Sequence, residues 1–159
     1  MSPQIDPNDA ILAVLNEVLK AELTAIHQYL LHARSCQNWG YLRLAEYNRK
    51  ESVEEMEHAE LIMDRILFLN GTPNMTDLFA IKSCANVKEQ IEWDLALEKE
   101  AIARLNAAIK TTSDAGDNAT RQLFDKILID EDRHVDHLEG QLHIIGEIGI
   151  NHYLARQME

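Results

Sequence analysis

Six side chains in this 159-residue sequence have the types and spacing of a metal-ligand set: Glu22, Glu55, His58, Glu98, Glu131 and His134. Glu55 and Glu131 each open an E-x-x-H. Glu22 to Glu55 and Glu98 to Glu131 are both 33 residues, while Glu22 to Glu98, Glu55 to Glu131 and His58 to His134 are each 76. The order is an acid followed by acid-x-x-His, used twice. Carboxylate and imidazole donors together suit Fe(II), Mn(II) or Zn(II), and bridging carboxylates suit a pair of ions rather than one. Two divalent cations balance four carboxylates, and two neutral imidazoles complete the set. Without cations, four carboxylates in a core would cost many kcal/mol or take up protons.

The elements that position these groups are helices. Ile11, Leu15, Val18, Ala25, Ile26, Tyr29 and Ala33 recur at helical spacing, as do Ala45, Ser52, Ala59, Ile62 and Ile66. Val87, Ile91, Leu95, Ile102, Leu105 and Ile109 form a third stripe, and Phe124, Ile127, Leu138, Leu142 and Ile145 a fourth. Each stripe has a gap, and an acid fills it: Glu22, Glu55, Glu98 and Glu131 in turn. The histidines follow three residues later on the same face, so all six groups are expected to point inward at mid-height. A lone E-x-x-H is commonplace on a solvated face. Two of them, each at one distance from an acid set in a core stripe, are not.

The punctuation predicts helices over about 7–37, 39–69, 87–112, 117–145 and 150–157. Asp6-Pro7 reads as an N-terminal cap and first helical position, Asn38 as the cap of the second helix, and Asn86 with Glu89 as the capping pair of the third. Asn70-Gly71-Thr72-Pro73 stops the second helix, and Gly146 and Gly149 bracket a break before the fifth. Residues 71–86 hold no long periodic element and can span about 50 Å extended, enough to run the length of a bundle. The expected architecture is all-α, a single domain over 1–159: a four-helix bundle with a long crossover and a short fifth helix.

Composition narrows the function. Lys+Arg 15 against Asp+Glu 27 gives a net charge of −12, which opposes a nucleic-acid partner. No apolar run reaches 18 residues, so no membrane span is expected. The opening MSPQIDPND has neither a basic start nor an apolar stretch, and no signal peptide is read there. Cys36 and Cys84 form no C-x-x-C, which excludes a four-cysteine metal site and fits a reducing cytoplasm. Six glycines and three prolines are too few for a turn-rich sandwich.

Along nearly the whole chain the sequence resembles the bacterioferritins, the haem-containing branch of the ferritins. The resemblance is densest in Ala21-Glu22-Leu23-Thr24-Ala25, Glu55-Met56-Glu57-His58-Ala59, the run from Arg65 to Asn74, Asp94-Leu95-Ala96-Leu97-Glu98, and Asp130-Glu131-Asp132-Arg133-His134. It implies the ferritin-like fold, with two iron ions per subunit at a ferroxidase centre. Glu55 and Glu131 would bridge, Glu22 and Glu98 would be terminal, and His58 and His134 would be nitrogen ligands. It further implies a homo-oligomeric shell of 24 subunits built from dimers, with iron mineral inside. A haem b would be shared between two subunits through Met56 of each. A second subunit type in the shell and an electron-donating ferredoxin for iron release are further expectations.

Several neighbours of the six carry separate expectations. Met56 lies one residue round from Glu55 and faces out of its own bundle, in a row with Arg49, Ser52, Met63 and Leu67; by itself a thioether there packs an interface. Tyr29, two turns after Glu22, is read either as a core phenol bonded to a ligand carboxylate or as a redox-active catalytic group. Asp94 stands one turn before Glu98 and is expected to orient a ligand histidine. His27 and His32 are read as surface or interface groups, and Trp39 and Trp93 as packing or interface residues rather than electron carriers. Lys50 and Glu54 occupy positions where related proteins often carry an inner-surface iron site, for which Lys50 is a poor ligand.

The reading is an enzyme: Fe(II) oxidised by O2 or H2O2, each of two ions giving one electron, with the ferric product stored as mineral. Three rivals share the helices. A rubrerythrin-like peroxide scavenger would usually add a four-cysteine iron domain, absent here. A miniature ferritin that shields DNA puts its ligands between subunits. A non-catalytic helical oligomer explains the stripes but not the acids set in them.

Overall fold

The computed structural model describes residues 7–159, with the backbone alone at Pro7; Asp6, the expected cap, lies outside the described residues. Five helices follow in order: α1 (Pro7–Trp39), α2 (Leu42–Phe68), α3 (Val87–Asp114), α4 (Asn118–Ile148) and α5 (Ile150–Ala155). α1 lies along α2, α3 lies along α4, and α1 also faces α3, which makes a four-helix bundle with α5 folded against α4. A long crossover joins α2 to α3. No helix among the described residues is long and apolar enough to cross a membrane.

Helix boundaries follow local chemistry. The first turn comes later than the Asn38 cap suggests. Asn38 lies inside α1, and the break falls at Gly40, whose φ of 87° only glycine adopts without strain. There the Gly40 and Tyr41 amides donate to Gln37 O and Cys36 O at 3.2 and 2.9 Å. Asn86 caps α3: its Oδ1 accepts from the Glu89 amide at 2.9 Å, and Glu89 Oε2 accepts from the Ala85 amide at 3.0 Å. Asp117 caps α4 through the Thr120 amide at 3.0 Å. Gly146 does not bracket the last break. It lies within α4, which ends where Gly149 takes φ 80°.

The crossover is fastened along α1. The Asn74 amide donates to Asn16 Oδ1 (2.8 Å), the Phe79 amide to Thr24 Oγ1 (2.9 Å) and the Lys82 amide to Gln28 Oε1 (2.9 Å). Successive crossover residues therefore climb α1 turn by turn from Asn16 to Gln28. Gln28 is fully buried and also receives the Trp93 indole N–H at 2.8 Å.

Two apolar cores hold the bundle together. One gathers Leu15, Leu19, Ile62, Ile66, Leu105, Phe124 and Ile127; the other gathers Cys36, Leu44, Ile91, Leu138, Ile145 and Tyr153. Between them in sequence register lies a belt of buried polar groups, where the six candidate ligands sit.

Candidate metal centre

All six ligand candidates are buried, none more than 4% exposed. They form two quartets that share two members. Glu22, Glu55, His58 and Glu131 place one donor atom each within 4.8 Å of one another, and so do Glu55, Glu98, Glu131 and His134. His58 Nδ1 faces Glu22 Oε2 at 3.4 Å, Glu55 Oε2 at 3.2 Å and Glu131 Oε1 at 3.3 Å. His134 Nδ1 faces Glu55 Oε1 at 3.2 Å, Glu98 Oε1 at 3.5 Å and Glu131 Oε2 at 3.5 Å. The two oxygens of Glu55 therefore point to different histidines, and so do those of Glu131. That is the disposition of bridging carboxylates, with Glu22 and Glu98 terminal.

The electrostatics are those of a cation site. Burial, then the carboxylates of Glu55 and Glu131, hold Glu22 well above the usual carboxylate range. Burial, then Glu131 and Glu55, do the same to Glu98. Burial also pushes Glu55 up, but Glu22 and the two facing histidines outweigh it and hold Glu55 well below that range. Glu131 is lowered too, against burial and the Glu55 charge, by Glu98, His134 and His58. Both histidines are raised despite burial, His58 by Glu131, Glu22 and Glu55, and His134 by Glu131, Glu51, Glu55 and Glu98. Without cations, then, protons on Glu22, Glu98 and the two imidazoles balance the charge.

Protons leave this belt incompletely satisfied. Glu55 Oε1, Glu131 Oε1, Glu51 Oε2 and both His134 nitrogens are buried with no hydrogen-bond partner. Each such atom costs about 1–3 kcal/mol, and a pair of cations would take up most of them. The donor set thus fits two first-row divalent ions: three carboxylates and one imidazole on each.

Outer groups steady the histidines. His58 Nε2 lies 3.0 Å from Asp130 Oδ2. His134 Nε2 lies 2.9 Å from Glu51 Oε2 and 3.5 Å from Glu54 Oε1, at angles that close no hydrogen bond. Asp130 and Glu51 were not singled out by the sequence reading. Asp130 had a signal, since it and Glu54 each directly precede one of the shared glutamates and stand 76 residues apart, whereas Glu51 maps onto Ile127 and had none. Arg133 Nη2 spans Glu54 and Asp130.

Other expectations change. Asp94 does not orient a ligand histidine. It faces His32 Nδ1 at 3.0 Å, and His32 is no surface group but fully buried, with Nε2 at 2.8 Å from Gln28 Nε2. His32 follows Tyr29 by one turn and so shares its inward face. His27 is exposed. Ser52 does not face outward with Met56; it is buried and donates to Ile26 O at 2.8 Å. Met56 is 45% exposed and Leu67 56%. Tyr29 donates its hydroxyl to Glu98 Oε1 at 2.7 Å, and burial above all, with the carboxyls around it, pushes the phenol up. Tyr47, also absent from the sequence reading, stacks on His137 with ring centroids 4.4 Å apart. Lys50 is exposed and Glu54 half-buried.

Comparison with known proteins agrees with this geometry. The ferritin-like domain family matches residues 12–148. The chain is 46% identical over 153 residues to a bacterioferritin of Mycolicibacterium paratuberculosis, covering 96% of this chain and 95% of that one. It is 43% identical to a bacterioferritin of Streptomyces coelicolor (98% and 92% covered) and 41% to one of Brucella melitensis (90% and 89%).

Proposed function

The chain belongs to the ferritin-like family, and from that premise we propose that it is an iron-storage ferroxidase acting at a di-iron centre within each subunit. The observation that carries this is the sharing of Glu55 and Glu131 between the two quartets. Fe(II) is the substrate. Two ions held by common carboxylates together give two electrons to one O2, which with two protons leaves as H2O2, or to one H2O2, which with two protons becomes two waters. Paired transfer avoids free-radical products. Hard carboxylates favour the ferric product.

This chain's own groups do the rest. Glu22 and Glu98 release protons as cations arrive, Glu55 and Glu131 span the pair, and Asp130 holds the His58 ring so that Nδ1 faces inward. Tyr29 fixes the Glu98 carboxylate through its hydroxyl.

The same reading includes a shell of 24 chains, about 440 kDa for chains of 18.2 kDa, with mineral inside. Met56 of each of two paired subunits would hold a shared haem b. Met56 is 45% exposed and Val53, one turn away, 37%, so this face of α2 is uncovered in the single chain. The thioether would stabilise ferrous haem, and a ferredoxin feeding electrons through it would mobilise the mineral. A second subunit type in the shell belongs to the same proposal.

The test is aerobic Fe(II) oxidation followed by ultraviolet absorbance, with particle mass by light scattering. Wild-type chains should oxidise iron far faster than buffer and Glu55→Gln chains should not. Equal rates would refute the ferroxidase. A small oligomer would refute the shell, and Met56→Leu particles that keep full Soret absorbance would refute the haem ligand.

A further inference from the structure

The polar belt can be reached from two sides, and they differ in chemistry. Between α1 and α3 lies a pocket of about 440 Å³, open mouth included. Its floor holds all four ligand carboxylates and Tyr29. Its walls are small and apolar, Ala21, Ala25, Leu97 and Ala101, and its roof is Phe79 from the crossover. The Phe79 ring is held between two cations, Lys20 Nζ at 4.2 Å and the Arg104 guanidinium at 4.3 Å from its centroid. Its amide is tied to Thr24. Glu100 is the one exposed acid in the lining.

The opposite face, between α2 and α4, carries an open pocket of about 580 Å³ lined by Glu54, Glu57 and Asp130, which leads to His58. Lys50 and Lys126 also line it. Here two carboxylates and an imidazole gather: Glu54, His58 and Asp130 offer donor atoms within 4.8 Å of one another.

We propose that the pocket under Phe79 is the oxidant site: a small uncharged oxidant, dioxygen by the apolarity of the walls, reaches the centre between α1 and α3, while Fe(II) arrives between α2 and α4. This rests on the ferroxidase reading above. Both routes carry two cations, but between α2 and α4 the lysines are matched by Glu54, Glu57 and Asp130, carboxylates that can replace an ion's waters. Under Phe79 the way in is mainly alanine and leucine, with Thr24, Gln28 and Asp94 beside them and Glu100 as its one exposed acid. Dioxygen surrenders no hydrogen bonds in the same passage and gains dispersion contacts. The space exists because Ala21, Ala25 and Ala101 end at Cβ. None of the three is a ligand, so filling the pocket leaves the donor set intact.

The test has two readouts. Crystals of metal-free wild-type protein are pressurised with xenon, an apolar probe located by its anomalous scattering. A xenon peak beneath Phe79, lost in Ala101→Leu, is expected; no wild-type peak there, or a peak only between α2 and α4, overturns the proposal. Chains loaded anaerobically with Fe(II) are then mixed with graded dioxygen. Ala101→Leu should raise the half-saturating dioxygen several-fold with Fe(II) binding unchanged, and an unaltered dioxygen dependence overturns the proposal. A parallel arm with H2O2 separates the oxidants: slowing confined to dioxygen assigns the pocket to dioxygen, and slowing of both assigns it to either molecule. Should Ala101→Leu not fold, Phe79→Trp and the wild-type xenon experiment decide in its place. Failure of the wild type to bind two Fe(II) per subunit would sink the ferroxidase reading itself. Two bound ions with unchanged oxidant dependence sinks only the pocket.

Discussion

The Tyr29 hydroxyl donates to Glu98 Oε1 at 2.7 Å, and this support is one-sided. Moving 76 residues along, the register that maps one half of the chain on the other, leads from Tyr29 to Leu105, which is buried and has no donor. The two quartets are alike in ligands but not in what braces their terminal carboxylates.

Tyr29→Phe should therefore separate the two sites. Losing one hydrogen bond of about 1 kcal/mol should weaken the Glu98–His134 side about fivefold and spare the Glu22–His58 side. Anaerobic Co(II) titration, read by its visible bands, would show one of two equivalents binding more weakly.

Asp130→Asn tests the outer support of His58. Groups that orient a metal-bound histidine typically govern about 10- to 100-fold in affinity. The loss should fall on the Glu22–His58 side, and Asp130→Glu should restore part of it. Isothermal titration with Co(II) checks both.

Metal binding should release protons. Glu22, Glu98, His58 and His134 all hold raised pKa values, and a ligand must shed its proton to bind. Protons should appear on anaerobic loading, measured in weakly buffered solution with an indicator dye, and a loading that releases none would overturn this. Affinity must then rise with pH. The sign reverses for the unloaded fold: these raised groups stabilise it most at low pH, and that contribution fades for the two glutamates as pH climbs above about 4.5. Glu55 and Glu131, lowered, work the other way and lose their contribution as pH falls below it.

Gly71→Ala should be only mildly destabilising. A Cβ there would lie 2.4 Å from Leu12 Cδ2, the end of a half-buried side chain that can rotate aside, and 3.1 Å from Ile66 Cγ2, which must give by a few tenths of an ångström. The cost should stay below about 1 kcal/mol, a shift of at most a few degrees in the thermal midpoint seen by circular dichroism, and a larger fall would show that Leu12 cannot move.

Cys36 should resist alkylation near pH 8. Burial, then the Asp94 charge, pushes its thiol up to about 12, and the side chain is fully buried. Mass spectrometry after iodoacetamide treatment of folded protein should find it unmodified.

The inward groups were legible in the sequence because a helical stripe admits few acids, and one at its centre must be paired. Bridging and terminal roles followed only from the family resemblance, since spacing does not say where an individual oxygen points. His32 and Asp94 were misread because each pairs with the other across 62 residues, a contact no local pattern encodes. Tyr47 and Glu51 escaped notice for a related reason: their importance lies in what faces them from α4. Gly40 overrode the Asn38 cap, since a backbone turn with positive φ ends a helix more firmly than one polar side chain begins the next.

The pairing of α1 with α2 and of α3 with α4 gives the quartets an interdependence. Glu22, Glu55 and His58 come from the first hairpin and borrow Glu131; Glu98, Glu131 and His134 come from the second and borrow Glu55. Neither hairpin owns a whole coordination sphere, so each lends the other its last ligand. A chain cleaved in the exposed stretch around Thr76 and Asp77 would keep every donor but could chelate only after its fragments reassociated, and the ions themselves would then act as the rivets.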